Sequence, residues 1–125
     1  MVKLLWVGLG GFAGASGRYL LSAAFAAANQ RFPWVTLLIN LFGSFLIGIV
    51  AEVAARTGSS DGGFTLFLKV GLCGGFTTFS SFSLEMLGLL EQGRTAAGVD
   101  YALLSVLLCL LGTLLGAALV RAAGK

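Results

Sequence analysis

Four long apolar stretches, separated by short polar turns, dominate this chain of 125 residues. They cover, approximately, residues 4–28, 33–55, 64–90 and 98–121. A helix that crosses the hydrocarbon core of a bilayer needs about 20 mainly apolar residues, so each stretch is long enough to cross once. The pattern predicts an all-α integral membrane protein with four transmembrane helices, and the short turns favour a single domain over residues 1–125.

The composition supports this prediction and argues against several other classes of protein. Hydrophobic residues make up 58% of the chain and charged residues only 10%. The net charge of +3 arises without any basic run, so no nucleic-acid partner is expected. The chain has no His, and Cys73 and Cys109 lie far apart in apolar sequence. Zinc binding, thiol chemistry and Ser–His catalysis are therefore not expected, and we do not expect an enzyme.

Charged residues near the ends of the stretches give a weak signal for orientation. Four spans place both termini on one side of the membrane, where the basic residues are Lys3, Arg56, Lys69, Arg121 and Lys125. The opposite side has Arg31 and Arg94. A cytoplasmic face usually carries the excess of Lys and Arg. Because this five-to-two distribution has no cluster, insertion in both orientations stays open.

The third stretch contains a segment, residues 71–85, that is too polar and too rich in glycine for a simple span. Gly74 and Gly75 precede β-branched threonines, and this combination makes a poor helix interior. We expect the third helix to be broken at Gly74–Thr77. Irregular backbone at membrane depth is tolerated only where it faces protein or a water-filled cavity. Its free carbonyl oxygens would suit a hard cation such as sodium.

The other stretches carry polar residues at four-residue spacing, which places them on one helical face. In the first stretch, Arg18 must face protein, water or an anion, or else reach an interface by snorkelling. In the second, Asn40 lies four residues after Thr36, and its amide fits either a hydrogen bond between helices or contact with an ion. The fourth stretch repeats the spacing with hydroxyl groups that could equally bond their own backbone.

Two phenylalanines, Phe79 and Phe82, lie beside the hydroxyl groups of Ser80 and Ser81. Converging polar stripes would form a track of hydrogen-bond donors with one fixed positive charge, which favours a small anion. The positive edge of an aromatic ring can contact an anion in a narrow pore; the alternative is that the two rings only pack. Glu85, further along the same face, is either protonated, bonded to nearby donors or at the interfacial end of the span.

These blocks resemble the Fluc (CrcB) family of fluoride channels over the whole length of the chain. The resemblance rests on GGFAGASGRY with Arg18, TLLINLFGSFLIG with Asn40, and GFTTFSSFSLE with Phe79 and Phe82. There are two small departures. Val35 stands where the family often has Gly, and Ser81 replaces a usual Thr but keeps the hydroxyl group.

The resemblance implies an antiparallel, dual-topology homodimer in a prokaryotic plasma or inner membrane. It also implies two fluoride pores, each lined by both subunits, and a structural sodium ion on the two-fold axis. By position in the family motifs, the backbone carbonyl groups of Gly74 and Thr77 would bind sodium, and Tyr101 would brace the phenylalanine rings. With Thr36 added from the second span, the predicted fluoride pore comprises Arg18, Thr36, Asn40, Phe79, Ser80, Ser81, Phe82, Glu85 and Tyr101.

We therefore expect a passive, fluoride-selective channel that exports the anion from the cytoplasm and is surrounded by membrane lipid. One alternative is a small four-span multidrug or cation exporter, which needs an embedded acid in its first span, where this chain has Arg18. Another is a non-transporting assembly subunit held together by glycine faces. That alternative would leave the stripes of hydrogen-bond donors unexplained.

Overall fold

The computed structural model describes residues 1–124, which form helices and turns without any strand. In chain order the helices are α1 (Val2–Ala24), α2 (Trp34–Thr57), α3 (residues 63–76), α4 (Phe79–Glu91) and α5 (Thr95–Ala123). A short 3₁₀ helix, Ala26–Asn29, lies in the connection between α1 and α2. The all-α class predicted from the sequence is confirmed for these residues.

Helix α3 is the least regular of the helices. It begins as an α-helix at Gly63–Leu66 and continues as a π-helix over Phe67–Cys73. It then ends with an α-helical turn at Gly74–Phe76. A π-helical segment inside an α-helix is rare and is often found at functional sites.

Two threonines interrupt the helical backbone after α3. Thr77 and Thr78 have extended backbone angles, with ψ of 157° and 118°. The sequence had predicted a break at Gly74–Thr77, but Gly74 is helical here and the interruption extends to Thr78. The β-branched side chains explain the difference, because they favour extended backbone more strongly than glycine does.

Glycines bring the backbones of α1 and α3 into direct contact. A Cβ atom built on Gly10 would collide with the carbonyl oxygen of Phe67, and one on Gly14 would collide with that of Leu72. The four-residue spacing of these glycines is the small-xxx-small pattern that lets two helices approach closely. Helix α1 is therefore held against the part of the chain that leads into the interruption.

Helices α2 and α5 form a second close pair in the same way. A Cβ atom on Gly48 would collide with the carbonyl oxygen of Thr113, and one on Gly116 would collide with that of Phe45. The hydroxyl group of Thr113 donates a hydrogen bond to the Ser44 carbonyl oxygen at 3.0 Å. The pair therefore has a fixed register near its middle.

A cluster of three charged side chains also joins the ends of α2 and α5. The Oε1 atom of Glu52 lies 3.1 Å from Nε of Arg56, and its Oε2 atom lies 2.9 Å from Nη2 of Arg121. Exposed ion pairs of this kind contribute at most about 1 kcal/mol. The group therefore adds little to stability, but it gives both arginines a carboxylate partner.

Two helices, α2 and α5, are long and apolar enough to cross a membrane, with mean hydropathies of 2.1 and 2.6 in their most apolar windows. Helix α1 has a comparable length of 23 residues, but its glycines and Arg18 make it less apolar. The third predicted span is divided between α3 and α4. By length and composition, therefore, two of the four predicted spans are identified within residues 1–124, and the other two stay a prediction.

We predict that Gly10→Ala destabilises the protein, because the added methyl group meets a backbone carbonyl group that cannot rotate away. Overpacking of this kind costs about 1–3 kcal/mol. The expected result is a lower melting temperature of the detergent-solubilised protein. Gly8→Ala is the matched control, since nothing lies within 4 Å of a Cβ atom at Gly8. Equal melting temperatures for the two variants would contradict the close contact of α1 with α3.

Candidate functional site

Asn40 of α2 holds the interruption between α3 and α4 in place. Its Nδ2 atom donates to the Thr78 carbonyl oxygen at 3.1 Å, and its Oδ1 atom accepts from the Thr78 N–H at 2.7 Å. One side-chain amide thus pairs both backbone groups of a residue that lies outside the helices. Asn40 therefore forms a hydrogen bond between helices, and one N–H of its amide has no partner within residues 1–124.

Thr78 also caps the first turn of α4. Its hydroxyl oxygen accepts from the Ser81 N–H at 3.1 Å, which is the usual bond of a threonine N-cap. The same hydroxyl group donates to the Ser81 hydroxyl oxygen at 3.1 Å and lies 3.3 Å from that of Ser80. Three hydroxyl groups therefore cluster where α4 begins. No role was predicted for Thr78, although Thr-Phe-Ser-Ser is a recognisable N-cap sequence.

Arg18 of α1 reaches the end of α3. Its Nε atom donates to the carbonyl oxygen of Gly75 at 3.2 Å. The neighbouring carbonyl group of Cys73 is already paired, because both the N–H and the hydroxyl group of Thr77 donate to it, at 3.0 and 2.9 Å. Of the alternatives considered for Arg18, contact with protein is the one that the structure shows. The guanidinium group therefore lies at the negative end of the α3 dipole, where a positive charge is favourable.

The two carbonyl groups predicted to bind sodium lose their usual helical donors at the interruption. In a continuous helix, Gly74 would accept from the N–H of Thr78, and Thr77 from that of Ser81. Instead, Thr78 donates to Asn40, and Ser81 donates to the hydroxyl group of Thr78. Nothing lies within 4 Å of a Cβ atom built on Gly74, so the space that a side chain would occupy at this position is open.

Glu85 of α4 links three helices through its carboxyl group. Its Oε1 atom accepts from the Thr36 hydroxyl group of α2, and its Oε2 atom accepts from the Tyr101 hydroxyl group of α5, each at 2.7 Å. Both donors are buried, at 5% and 0% exposure. Of the readings considered for Glu85, bonding to nearby donors is therefore observed.

Three aromatic rings lie in a row from this link toward the surface. The ring centroids of Tyr101 and Phe82 are 5.0 Å apart, and those of Phe82 and Phe79 are 5.3 Å apart. Exposure rises along the row, since Phe82 is 9% exposed and Phe79 is 78% exposed. The buried tyrosine thus fixes Phe82 from behind, while Phe79 extends from the surface of the single chain.

An open groove of about 360 Å³ runs beside the aromatic row. The side chains of Asn40, Phe79 and Phe82 line it, together with Thr78 and Ser105. The hydroxyl oxygen of Ser105 is buried and has no hydrogen-bond partner within residues 1–124. Leaving a buried hydroxyl group without a partner costs about 1–3 kcal/mol. The wall of the groove therefore contains a buried hydroxyl group without a protein partner within residues 1–124.

A second cavity, of about 250 Å³, also has Thr78 in its wall, and we call it the inner cavity. Its wall includes Arg18, Thr36, Ser81 and Glu85. Charged and hydroxyl groups from α1, α2 and α4 thus meet around one space. Since Thr78 lines both the groove and this cavity, the two are neighbours.

Most of the predicted pore residues therefore lie along the groove or the inner cavity. Two do not. Tyr101 is fully buried behind Phe82, and Ser80 is exposed at the start of α4 without lining either space. Ser105 was noted only as part of a four-residue pattern, and nothing in that pattern distinguishes it from Cys109 or Thr113.

We predict that removing either hydroxyl donor to Glu85 lowers the free energy of unfolding. Tyr101→Phe and Thr36→Val keep the shape of each side chain, and an intramolecular hydrogen bond contributes about 0.5–1.5 kcal/mol. The measurement is thermal or denaturant unfolding in detergent. Tyr19→Phe serves as the control, because Tyr19 is 70% exposed. If all three variants unfold alike, the carboxyl link does not hold the helices together.

Comparison with known proteins gives consistent matches over nearly the whole chain. The family model described as CrcB-like protein, Camphor Resistance (CrcB), matches residues 5–117. A protein of Ruminiclostridium cellulolyticum is 42% identical over 97% of this chain and 94% of its own length. One of Rhizobium meliloti is 43% identical over 98% of both chains, and one of Anaeromyxobacter dehalogenans is 45% identical over 97% of both. Each of the three is named a fluoride-specific ion channel FluC.

Proposed function

The chain belongs to the CrcB family, and from this premise we propose that it is a passive, fluoride-selective channel that exports the anion across a prokaryotic plasma or inner membrane. Relatives that cover nearly all of the chain are named fluoride-specific ion channels. The family is one of ion channels, so the protein is a transporter rather than an enzyme.

The observation that carries the proposal is the groove beside the aromatic row. Phe79 and Phe82 line it together with Ser105, whose hydroxyl group lacks a partner within residues 1–124. Asn40 adds an amide N–H that its bond to Thr78 leaves unused. Ring edges, hydroxyl groups and amide N–H groups can all offer positive hydrogens to an ion, so we assign an anion rather than a cation to the groove.

Fluoride is small and holds its hydration water tightly, so a selective pore must replace that water with closely spaced donors. Ring edges supply such contacts without a fixed charge, which lets the ion leave again. We assign the contacts with fluoride to Asn40, Phe79 and Phe82. Arg18, Thr36, Ser81 and Glu85 would line the approach through the inner cavity, with Ser80 at the surface beside it.

The groove has one wall missing in the single chain, which supports assembly as a homodimer. Phe79 is 78% exposed, although it lies at the centre of the proposed pore. A second copy, packed in the opposite orientation, would enclose the groove and create an equivalent one by symmetry. In this arrangement α1, α2, the α3–α4 pair and α5 of each subunit would be the four spans. The two pores and the dual topology belong to the same proposal.

A structural sodium ion fits the interruption between α3 and α4. The carbonyl groups of Gly74 and Thr77 have lost their helical donors, and the side of the chain at Gly74 is open. Carbonyl oxygens are ligands that hard cations prefer. If the open side faces the two-fold axis, one ion would receive the same two oxygens from each subunit. Sodium would then hold the subunits together rather than permeate.

The exporter alternative is not favoured. A four-span cation exporter needs an embedded acid in its first span, and the membrane-depth charge of α1 is Arg18, bonded to the Gly75 carbonyl oxygen. The glycine contacts between helices would satisfy a non-transporting subunit, but they would not explain the donors in the groove. Fluoride efflux from proteoliposomes, measured with an electrode against a chloride control, separates these classes.

We predict that Phe79→Ile and Phe82→Ile each reduce fluoride efflux from proteoliposomes to the background of empty vesicles. Isoleucine keeps an apolar side chain but has no positive ring edge for the ion. Phe64→Ile is the matched control, since Phe64 is 65% exposed and does not line the groove. Size-exclusion chromatography checks that each variant assembles as the unmodified protein does. Efflux that is unchanged in both variants would refute the role of the rings.

Sodium removal should destabilise the dimer whether or not fluoride is present. We expect dialysis into N-methylglucamine salts to lower the melting temperature and to slow efflux, and we expect sodium to restore both. Potassium is the control cation, because its larger radius fits a sodium-sized set of oxygens poorly. An identical melting temperature in all three cations would contradict the sodium site without affecting the channel assignment.

A further inference from the structure

We propose that a polar pocket at one end of the helix bundle is an anion-binding mouth. It would attract fluoride from solution toward the inner cavity. The inference rests on the proposed function. The pocket, which we call the mouth pocket, has a volume of about 200 Å³. It lies between the turn before α2 and the end of α4, and the side chains that matter to the argument are Asn29, Arg31, Glu85, Gln92 and Arg94.

Two arginines of the mouth pocket have no carboxylate partner. Neither Arg31 nor Arg94 forms a salt bridge within residues 1–124, although both are exposed. Arg56 and Arg121, which lie at the C-terminal ends of α2 and α5, are both paired with Glu52. The basic residues of the mouth pocket are therefore available to an ion from solution, whereas those paired with Glu52 are already neutralised.

The acceptors of the pocket that the structure pairs are the oxygens of Asn29 and Glu85. The Oδ1 atom of Asn29 accepts from the Val35 N–H at 2.8 Å, which leaves the amide hydrogens to face other groups. Glu85 is the single carboxylate in the wall, and both of its oxygens already accept hydroxyl hydrogen bonds. Glu91, the nearest other acid in sequence, does not line the pocket.

The mouth pocket is adjacent to the proposed route of the ion. Asn29 and Glu85 line both this pocket and the inner cavity. Thr78 in turn lines both the inner cavity and the groove with the aromatic row. The mouth pocket, the inner cavity and the groove thus form a series in which each space shares wall residues with the next. An ion held by Arg31 and Arg94 would lie at the outer end of this series.

The expected ligand class is a small inorganic anion, such as a halide, bound weakly and without discrimination between halides. Exposed guanidinium groups raise the local anion concentration by long-range attraction, and this effect weakens as salt screens it. The Debye length falls from about 30 Å at 0.01 M ionic strength to about 8 Å at 0.15 M. The mouth pocket would therefore set how fast ions enter, while the groove would set which ion passes.

The test compares fluoride efflux of the unmodified protein with that of Arg31→Gln/Arg94→Gln in proteoliposomes. Fluoride is kept in the range where the rate rises linearly with its concentration, so that entry limits flux. Ionic strength is varied with impermeant ions only. We expect the double variant to be about tenfold slower at low ionic strength, and the difference to become smaller near physiological ionic strength.

Lys3→Gln/Lys69→Gln is the matched control, because it also removes two positive charges, but at positions outside the mouth pocket. It should keep the unmodified rate at both ionic strengths, and Arg31→Lys/Arg94→Lys should recover most of the lost rate. If the glutamine double variant does not assemble, the single variants replace it, each with part of the effect.

Two outcomes overturn the inference in different ways. The mouth pocket alone would be refuted if Arg31→Gln/Arg94→Gln and the unmodified protein had equal rates at low ionic strength. It would also be refuted if Lys3→Gln/Lys69→Gln lost as much rate as Arg31→Gln/Arg94→Gln. Absence of fluoride efflux from the assembled, unmodified protein would refute the proposed function itself. The two failures are therefore distinguishable in one set of vesicles.

Discussion

The double hydrogen bond between Asn40 and the backbone of Thr78 is the interaction on which the rest of the structure depends. An extended residue between two helices exposes an N–H and a carbonyl group that no helical neighbour can pair, and in an apolar medium each unpaired group costs several kcal/mol. One amide from α2 satisfies both. It thereby allows α3 to end and α4 to begin in a new direction within what would otherwise be one span.

The features around the interruption follow from this solution. Because the Thr78 N–H is taken by Asn40, the Gly74 carbonyl group has no helical donor. Because the Thr78 hydroxyl group caps α4, Ser81 lies beside Thr78 in the wall of the inner cavity. Donors and acceptors freed by one irregular residue thus become the polar surface that the proposed anion and cation sites would use.

Part of the candidate site could be predicted from the sequence, because a polar residue inside an apolar stretch needs a partner and is easily recognised. Arg18, Asn40 and Glu85 were identified in this way. The predicted interruption, Gly74–Thr77, included Thr77 correctly, but it also included Gly74, which is helical, and it stopped before Thr78, which is extended. Thr78 and Ser105 could not be singled out, since a hydroxyl group that caps a helix and one that faces a groove look alike in sequence. The mouth pocket joins turns that are distant in the chain, so only tertiary structure brings its arginines together.

The π-helical segment Phe67–Cys73 has a consequence for how this chain tolerates change. Each residue of an α-helix turns the chain by about 100°, and a π-helical segment holds one residue more than the α-helix would need. That additional residue sets the rotation between the glycine face that packs on α1 and the carbonyl groups at the end of α3. Loss of a single residue there would turn the interruption away from Asn40 and Arg18 while leaving the composition almost unchanged. The length of this segment is therefore a stricter constraint than the identity of most of its side chains.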